Sequence, residues 1–412
     1  MRDSGLVRNM NILHVISTID PAMGGPQAVI MRLAAAQRAL GHSVHVLSYG
    51  GAEVEGRAFR AAASIPHVDN IRWHLLPSPT RMERLLGLEA SRRLNGLLPA
   101  MDVLHLHGVW EPILLKAAGM ARTIRLPYCI TPHGMLDRWS MQQKALKKRL
   151  ALRLGYRAML DRAKFIQALN ADEASLMQPL ALRCETAIIP NGIFLEELDR
   201  LPAPGEFRRI RQMRADRRYI LFLSRLHRKK GLDFLAQAFR EVAAAIPDVD
   251  LVVAGPDDGA GEDFLAQVRS LGIADRVFTP GPLYGMDKLR ALADASCFCL
   301  PSRQEGFSIA ITEALGCSLP VVISDACHFP EVGSAGAGFV VPLDPTAIAA
   351  ALGKVLSNPA AAKVMGENGR KLVRDNYTWP RIAQMTVEHY AGGSTSSAAR
   401  PGGISEGARA TH

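Results

Sequence analysis

Several features that would assign this chain to other classes of protein are missing from its 412 residues. No apolar run approaches the roughly 20 residues that a membrane-spanning helix needs. The opening segment, MRDSGLVRNM, lacks the apolar region of a secretory signal peptide, and Met10 is a second candidate for the initiator. The six cysteines include no C-x-x-C pair, so buried, reduced thiols in a cytosolic protein are expected. The chain also lacks aromatic clusters and any recognisable nucleic-acid-binding module, which makes nucleic acid the least favoured partner.

What is present is the composition of an ordinary globular protein, with 48% hydrophobic and 21% charged residues. The length is sufficient for two α/β domains with buried cores. Most of the net charge of +10 lies in the first half of the chain. Residues 1–200 contain 25 Lys plus Arg against 17 Asp plus Glu, whereas the remainder contains 24 against 22. A basic first half favours a polyanionic surface or a charged acceptor as the partner.

The first half alternates predicted strands with predicted helices, which indicates a mostly parallel sheet. In such sheets, ligands bind where loops leave the carboxyl ends of strands. The pair Gly24-Gly25 follows the first predicted strand, but it does not form the G-x-G-x-x-G fingerprint. No acidic residue follows the second strand either, so a dinucleotide site is not predicted there. On this pattern alone, the pair is consistent with a tight turn.

Histidines stand at the ends of two further strands. His105 and His107 are one residue apart in HLHGVW and can bind a metal, but no third cluster of ligands with suitable spacing follows, so no metal is predicted. His107 then either contacts substrate or forms structural hydrogen bonds. His133 ends another strand beside Gly134 and is placed to face a cleft, with local packing of this loop as the alternative.

The stretch 301–320, PSRQEGFSIAITEALGCSLP, lies between two predicted strands. It carries Glu305 on a turn and Glu313 within a short apolar helix. The amides of Ser308 and Ile309 are expected to lie unpaired at the start of this helix, where they suit an anionic group such as a phosphate. If the segment were fully helical, eight residues would span about 12 Å. The spacing alone is also consistent with a cap residue followed by a solvated helix face.

In its context, this stretch resembles the E-x7-E signature of retaining glycosyltransferases of family 4, which have the GT-B fold. The matching residues are Glu305, Gly306, Phe307, Glu313, Ala314, Pro320, Val321 and Val322. Ser318 stands where the family often has glycine. A second segment, SRLHRKKG, resembles the family's G-R-L-x-x-x-K-G, with Ser224 in place of the first glycine. The resemblance covers roughly residues 10–391 and is strongest across 219–333.

The resemblance implies an α/β protein of the GT-B class, in which two Rossmann-like domains with parallel sheets face an interdomain cleft. Residues 10–205 would form the acceptor-binding domain, completed by a C-terminal helix over 380–391 that crosses back to it. Residues 215–378 would form the domain that binds the nucleotide-sugar. The composition of 392–412, which is rich in Gly, Ser and Ala, predicts a disordered tail.

The family pattern also implies roles for individual residues. Arg225 and Lys230 leave a strand end and would bind a diphosphate, the first as a planar fork and the second as a compact charge. Glu305 would hold hydroxyls of the donor sugar, Glu313 would hold the ribose, and His133 would hydrogen-bond a sugar hydroxyl. The predicted catalytic residues are His133, Arg225, Lys230 and Glu305, and the predicted donor-binding residues are Gly25, Arg225, Lys230, Glu305, Gly306, Phe307, Ser308, Ile309 and Glu313.

Such an arrangement would stabilise the charge of a departing diphosphate by itself, so neither a metal nor another cofactor is predicted. The implied reaction is transfer of a sugar, with retention, from a UDP- or GDP-linked donor to a hydroxyl of a glycan or lipid-linked acceptor. The implied setting is bacterial exopolysaccharide or lipopolysaccharide assembly. The alternatives are another GT-B enzyme, such as a nucleotide-sugar epimerase or hydrolase, and a catalytically silent protein that binds nucleotide-sugars.

A basic segment is predicted to form one helix over 140–161. Its apolar positions recur at roughly helical spacing, and lysine and arginine residues surround them. The apolar positions are Leu146, Leu150, Leu154 and Met159. This helix either packs on the sheet as an ordinary surface helix or lies on an anionic membrane through about 142–164. The predicted location is cytoplasmic, with peripheral binding at the inner face of the membrane as the second possibility.

Overall fold

The structure is a computed structural model that describes residues 8–199 and 201–392, without the side chains of residues 138 and 139. Most of the segment before Met10, and all but the first residue of the predicted disordered tail 392–412, lie outside the described residues. Two separate parallel sheets confirm the predicted α/β architecture. In the part of the chain that the structure describes, no helix is both long and apolar enough to span a bilayer.

The first domain is built on a parallel sheet of seven described strands. They are β1 Asn11–Thr18, β2 Ser43–Tyr49, β3 Arg72–Leu76, β4 Val103–His107, β5 Tyr128–Thr131, β6 Phe165–Ala168 and β7 Glu185–Ile188. Their order in the sheet is β3-β2-β1-β4-β5-β6-β7. The central strands β1, β4 and β5 are almost wholly buried, as expected of apolar strands whose two faces are both covered by helices.

Two apolar clusters fill the space between this sheet and its helices, one on each face. The helices are α1 Gly25–Ala39, α2 Ala52–Ala62, α3 Arg81–Leu86, α4 Leu88–Leu97, α5 Pro112–Thr123, α6 Arg138–Gln142, α7 Ala145–Ala151, α8 Arg157–Asp161 and α9 Ala171–Met177. Pro26 stands in the first turn of α1, where the backbone N–H that proline lacks has no helical partner. Asn170 caps α9 by accepting a hydrogen bond from the amide of Glu173 at 2.8 Å.

The second domain repeats the alternation around a sheet in the order β10-β9-β8-β11-β12-β13. The strands are β8 Arg218–Leu223, β9 Val249–Ala254, β10 Val277–Gly281, β11 Cys297–Leu300, β12 Val321–Ser324 and β13 Gly338–Val341. The helices are α10 Glu206–Ile210, α11 Leu232–Ala245, α12 Gly261–Ser270, α13 Gly285–Asp294, α14 Ile309–Gly316, α15 Glu331–Ser334, α16 Pro345–Ser357 and α17 Pro359–Asn376. One apolar cluster joins the sheet to these helices. The short strand β13 is not among the strands predicted from the sequence.

The last described helix, α18 Trp379–Ala391, returns to the first domain and packs on α1. Trp379 and Tyr390 are 1% and 2% exposed, so both ends of this helix are anchored in the core. The chain leaves the first domain beside this anchor. A Cβ added at Gly192 would lie 2.7 Å from the amide nitrogen of Trp379, so only glycine permits the close approach of the two segments.

The prediction of one basic helix over 140–161 is wrong. The segment is divided among α6, α7 and α8, with a left-handed residue at Lys144 (φ +53°) and non-helical angles at Leu154 and Gly155. Gly155 has φ +114°, a conformation that an L side chain rarely adopts, and the chain changes direction there. The predicted apolar stripe is therefore split. Leu146, Leu150 and Leu154 are 80%, 57% and 67% exposed, whereas Met159 is buried in the core.

Candidate active site between the two domains

A cleft of about 760 Å³ lies between the domains. Loops at the carboxyl ends of strands from both sheets contribute to it, which is the usual place for a ligand in a parallel α/β protein. Eight of the predicted site residues line it, namely Gly25, His133, Arg225, Lys230, Glu305, Gly306, Phe307 and Ile309. Ser308 and Glu313 are not among the lining residues, although they belong to the adjoining segment.

The loops after β8 and β11 bring Lys230 and Glu305 together, although 75 positions separate them in the sequence. β8 and β11 are paired in the parallel sheet, so their carboxyl ends lie side by side. Nζ of Lys230 lies 2.6 Å from Oε1 of Glu305, and the same oxygen accepts a hydrogen bond from the hydroxyl of Ser302 at 2.6 Å. The two side chains are 15% and 7% exposed, so loss of either partner would leave a shielded charge uncompensated.

Gly231 determines how closely these two loops approach. Its φ is +70°, and an added Cβ would lie 1.8 Å from the carbonyl oxygen of Pro301, the residue that directly follows β11. No side chain can be accommodated at that distance, so glycine is required here. The position of Lys230 against the loop of Glu305 therefore depends on the residue that follows it.

Arg225 occupies the more open part of the cleft. Nη1 of this side chain lies 2.6 Å from Oδ2 of Asp258, and the two side chains are 64% and 42% exposed. Ion pairs in such exposed positions contribute only about 0–1 kcal/mol to stability. A phosphate could therefore replace Asp258 as the partner of Arg225 at little cost.

Glu305 and Glu313 do not lie on one continuous helix. α14 begins only at Ile309, which confirms the prediction of a turn that carries Glu305 followed by a short helix that carries Glu313. The reason is local, because Ser308 has extended backbone angles and its side chain accepts a hydrogen bond from the amide of Ile311 at 3.4 Å, which caps the helix. Glu313, one turn inside the helix, is paired with Lys288 at 2.6 Å.

His133 reaches the cleft from the opposite domain. Its backbone has φ +52° and the following Gly134 has φ +76°, so two successive left-handed residues turn the chain at the end of β5. Burial lowers the pKa of His133 to about 4, so the ring is neutral at physiological pH. A neutral imidazole can donate or accept one hydrogen bond at each nitrogen, which fits the predicted contact with a sugar hydroxyl.

Sequence reasoning missed Glu173, which holds this turn in place. One carboxylate oxygen accepts a hydrogen bond from the amide of Gly134 at 2.8 Å, and the other accepts from the amide of Leu169 at 2.6 Å. Burial raises the pKa of Glu173 above its usual value, although the two amide bonds oppose that shift. The sequence contains one sign of this role, because Glu173 stands three residues after the helix cap Asn170. The amide of Gly134 that Glu173 binds is 39 positions away, so the sequence did not identify it as the partner.

The structure brings a third potential ligand, His14, beside His105 and His107. His14 on β1 lies opposite His105 on β4, and ring nitrogens of the three histidines lie within 4.8 Å of one another. All three side chains are buried, and each ring nitrogen has a hydrogen-bond partner. His14 lies 93 positions before His107, so the spacing around His105 and His107 gives no indication of it. The arrangement accounts for the histidines as members of a hydrogen-bond network.

The two domains contact each other at the edge of the cleft. Nδ2 of Asn170 donates a hydrogen bond to the carbonyl oxygen of Gly306 at 2.6 Å, and Nδ1 of His328 lies 2.9 Å from Oδ2 of Asp172. These contacts join the start of α9 to the loops after β11 and β12. They hold His133 and Glu305 on opposite walls of the same cleft.

Two family models match the chain, one on each domain. The model described as "Glycosyl transferase 4-like domain" matches residues 24–192, and the model described as "Glycosyl transferases group 1" matches residues 205–372. The second match includes Arg225, Lys230, Glu305 and Glu313, the residues on which the resemblance was based.

Characterised relatives and solved structures agree with these matches. The chain is 33% identical over 325 residues to a GDP-mannose-dependent α-(1-6)-phosphatidylinositol monomannoside mannosyltransferase of Mycolicibacterium smegmatis, covering 74% of this chain and 78% of the relative. It is 27% identical to a phosphatidyl-myo-inositol mannosyltransferase of Mycobacterium leprae, covering 90% of this chain and 94% of the relative.

HepE of Anabaena in complex with UDP and glucose has a similar fold, with a TM-score of 0.73 at 19% identity, covering 93% of this chain and all of that one. Sucrose-phosphate synthase from Thermosynechococcus elongatus has a TM-score of 0.68 at 21% identity, covering 93% and 99%. The chain therefore belongs to glycosyltransferase family 4, the glycosyl transferases group 1, and is an enzyme of the glycosyltransferase class with the GT-B fold.

Proposed function

We propose that this enzyme transfers a sugar from a UDP- or GDP-linked donor to a hydroxyl of a lipid-linked or glycan acceptor, with retention of the anomeric configuration. The observation that carries the proposal is the shielded pair of Lys230 and Glu305, which lies in one cleft with Arg225. A cation beside a carboxylate suits a substrate that has a diphosphate next to a sugar.

The breaking bond leaves negative charge on the diphosphate oxygen. Lys230 is already held in the cleft, so it can stabilise this charge without reorganisation at the moment of reaction. Arg225, whose present partner is exposed, can turn its guanidinium to the phosphates and bind them as a fork. The first turn of α14 adds backbone amides near the same place.

Glu305 is placed to hold the sugar. Its Oε1 is engaged by Lys230 and Ser302, while no described residue forms a hydrogen bond with Oε2. A sugar hydroxyl can therefore donate to Oε2 while the lysine remains at Oε1. Glu313, paired with Lys288 behind the cleft, is proposed to hold the ribose, which requires that the carboxylate be shared or that Lys288 move.

We further propose that the acceptor is presented at an anionic membrane surface. Leu146, Leu150 and Leu154 are exposed on a segment rich in lysine and arginine, which is the composition of an interfacial anchor. The breaks in the segment do not remove this property, because the three leucines remain in water. The related mannosyltransferases act on phosphatidylinositol lipids according to their names, which supports a lipid-linked acceptor and a peripheral location. Exopolysaccharide or lipopolysaccharide assembly remains our proposal for the pathway.

Replacing Leu146, Leu150 and Leu154 together with serine is expected to weaken binding to vesicles of phosphatidylcholine with phosphatidylglycerol by at least about tenfold, because burial of each leucine is worth about 1.5–3 kcal/mol when complete. Binding to the vesicles is measured by sedimentation at low salt. The control is Leu85→Ser, because Leu85 is also exposed, at 73%, but lies on α3. Equal binding by both variants and the unaltered enzyme would contradict the proposed membrane contact.

The reaction is tested with a panel of UDP- and GDP-sugars, measuring release of the nucleoside diphosphate with and without a lipid acceptor extract. We expect release from one donor to increase when the acceptor is present, and to continue in excess chelator because the charges that stabilise the diphosphate belong to the protein. Equal release without acceptor would indicate a hydrolase, and binding without release would indicate a silent protein. Loss of activity in chelator that a divalent ion restores would contradict the metal-independent mechanism.

A further inference from the structure

We infer that Gln37 and Tyr390 are positioning residues that fix, through His14 and His107, which nitrogen of His133 carries a proton. The buried hydrogen-bond network leaves Nδ1 of His133 as an acceptor for the substrate in the cleft. The inference rests on the proposed function only for its kinetic consequence, since the protonated nitrogen can be observed in the free enzyme.

One end of the network has a polarity that cannot be reversed. Nε2 of Gln167 donates a hydrogen bond to the carbonyl oxygen of Ile189 at 2.8 Å, and a carbonyl can only accept. Oε1 of Gln167 is therefore left to accept from the hydroxyl of Thr131 at 3.0 Å. Thr131 has a single hydroxyl proton, so its oxygen must accept from Nε2 of His105 at 2.7 Å.

The same constraint, one proton for each donor, extends the polarity to α18 and α1. A neutral His105 that donates from Nε2 must accept at Nδ1, and its partner there is the hydroxyl of Tyr390 at 2.6 Å. Since that proton is used, the oxygen of Tyr390 accepts from Nε2 of Gln37 at 3.3 Å. Oε1 of Gln37 then accepts from Nε2 of His14 at 2.7 Å.

The next two hydrogen bonds extend the polarity to His133 in the cleft. His14 donates from Nε2, so its Nδ1 accepts from Nε2 of His107 at 2.9 Å. Nδ1 of His107 in turn accepts from Nε2 of His133 at 3.2 Å. His133 therefore carries its proton on Nε2, and no described residue forms a hydrogen bond with its Nδ1.

The polarity holds only if every ring is neutral. Burial lowers the pKa of His14 and His133 to about 4, and it lowers the pKa of His105 and His107 well below the ordinary value. At physiological pH each ring therefore has one donor and one acceptor nitrogen, as this polarity requires.

The consequence for the reaction concerns specificity. An unprotonated Nδ1 accepts a hydrogen bond from a sugar hydroxyl but cannot donate one to a carbonyl, ether or fluorine at the same place. A site built to hydrogen-bond a hydroxyl discriminates against analogues that lack it, because the buried partner is left unpaired. The residues that set this preference lie far from His133 in the sequence, since Gln37 stands 96 positions before it and Tyr390 stands 257 positions after it.

The direct test is NMR of the enzyme labelled with ¹⁵N-histidine, in which long-range couplings assign the protonated nitrogen of each ring. We expect His133 to be protonated at Nε2 in the unaltered enzyme near pH 7.5. In Tyr390→Phe, Gln37 loses the acceptor that orients its amide and can turn over, so the Nδ1-protonated form of His133 should become populated. The control is Tyr128→Phe, which removes a buried hydroxyl that donates to the carbonyl of Met159 at 2.7 Å, outside the network.

The kinetic arm uses the nucleotide-sugar that the enzyme turns over. Tyr390→Phe is expected to lower kcat/KM by about three- to tenfold, the value of one hydrogen bond, while Tyr128→Phe changes it less than about twofold. His133 protonated at Nδ1 in the unaltered enzyme, or a His133 spectrum that Tyr390→Phe leaves unchanged, would overturn the inference. An absence of turnover with every donor would contradict the proposed function and leave the NMR result to decide the inference.

Discussion

Lys230→Ala is expected to reduce kcat by about 10²–10³-fold, the effect of removing one preorganised donor from a site where negative charge develops. Lys230 is held 2.6 Å from Glu305 and its side chain is only 15% exposed, so water cannot replace it efficiently at the diphosphate. Single-turnover measurement of donor cleavage would isolate the chemical step. A kcat within about threefold of the unaltered enzyme, in a folded variant, would contradict the assigned role.

The matched control is Arg228→Ala. Arg228 belongs to the same basic loop and is exposed, but it is not among the residues that line the cleft. If the effect of Lys230→Ala came only from the general positive potential of the loop, both variants would lose similar activity. We expect Arg228→Ala to change kcat by less than about twofold, because exposed charges are screened by solvent.

Loss of Lys230 is also expected to lower the free energy of unfolding, and this effect has to be separated from the loss of catalysis. Glu305 is 7% exposed on its side chain, so the variant leaves a shielded carboxylate with Ser302 as its remaining partner. Breaking a buried pair in this way costs about 3–5 kcal/mol, whereas neutralising both partners costs much less. The double variant Lys230→Met/Glu305→Gln should therefore unfold in urea closer to the unaltered enzyme than Lys230→Met does, while remaining inactive.

Glu305→Gln is expected to lower kcat/KM for the donor by about 10²-fold with most of the loss in kcat. The substitution keeps the shape of the side chain and one acceptor oxygen, but it removes the charge that holds both Lys230 and the sugar hydroxyl. The comparison is Glu313→Gln. In the unaltered enzyme, Glu313 is paired with Lys288 and does not line the cleft. If Glu313 serves only to bind the ribose, its variant should raise KM while leaving kcat nearly unchanged.

The two substitutions are therefore distinguished by which kinetic parameter changes, kcat for Glu305→Gln and KM for Glu313→Gln, rather than by the size of the change. Equal effects of both substitutions on KM alone would indicate that Glu305 binds the ground state and the transition state equally, and its proposed role in the reaction would be wrong. A double-mutant cycle of Lys230→Met and Glu305→Gln should show non-additive losses, because the two side chains share one hydrogen bond.

Most of the residues that line this cleft were predicted because they lie in short motifs that resemble those of the family. A parallel α/β protein places ligands at strand ends, and Arg225, Lys230, Glu305 and His133 all follow predicted strands. The structure brings these four to one cleft. The predicted turn at Glu305 and the short helix around Glu313 are also present, and Ser308 caps α14 at its start. The pairing of Glu313 with Lys288 was not predicted, because the two residues lie 25 positions apart.

The basic segment shows where periodicity fails. Leucines at helical spacing predicted one continuous helix, but the left-handed conformations of Lys144 and Gly155 break it into pieces. Gly155 was visible in the sequence as a residue that tolerates such angles. Whether a glycine uses that freedom depends on the packing around it, which the pattern of apolar residues does not specify.

The sequence by itself determined the two α/β domains, the strand-end loops and the chemical types in the site, because those depend on hydrophobic alternation and on short motifs. Only the tertiary structure decided which groups meet: Lys230 with Glu305 across paired strands, Glu173 with the turn of His133, and Tyr390 with a histidine network assembled from β1 and β4. The physical reason is that hydrogen bonds and ion pairs act over a few ångströms. Their partners here lie tens to hundreds of positions apart, so sheet order and the returning helix α18 had to bring them within reach.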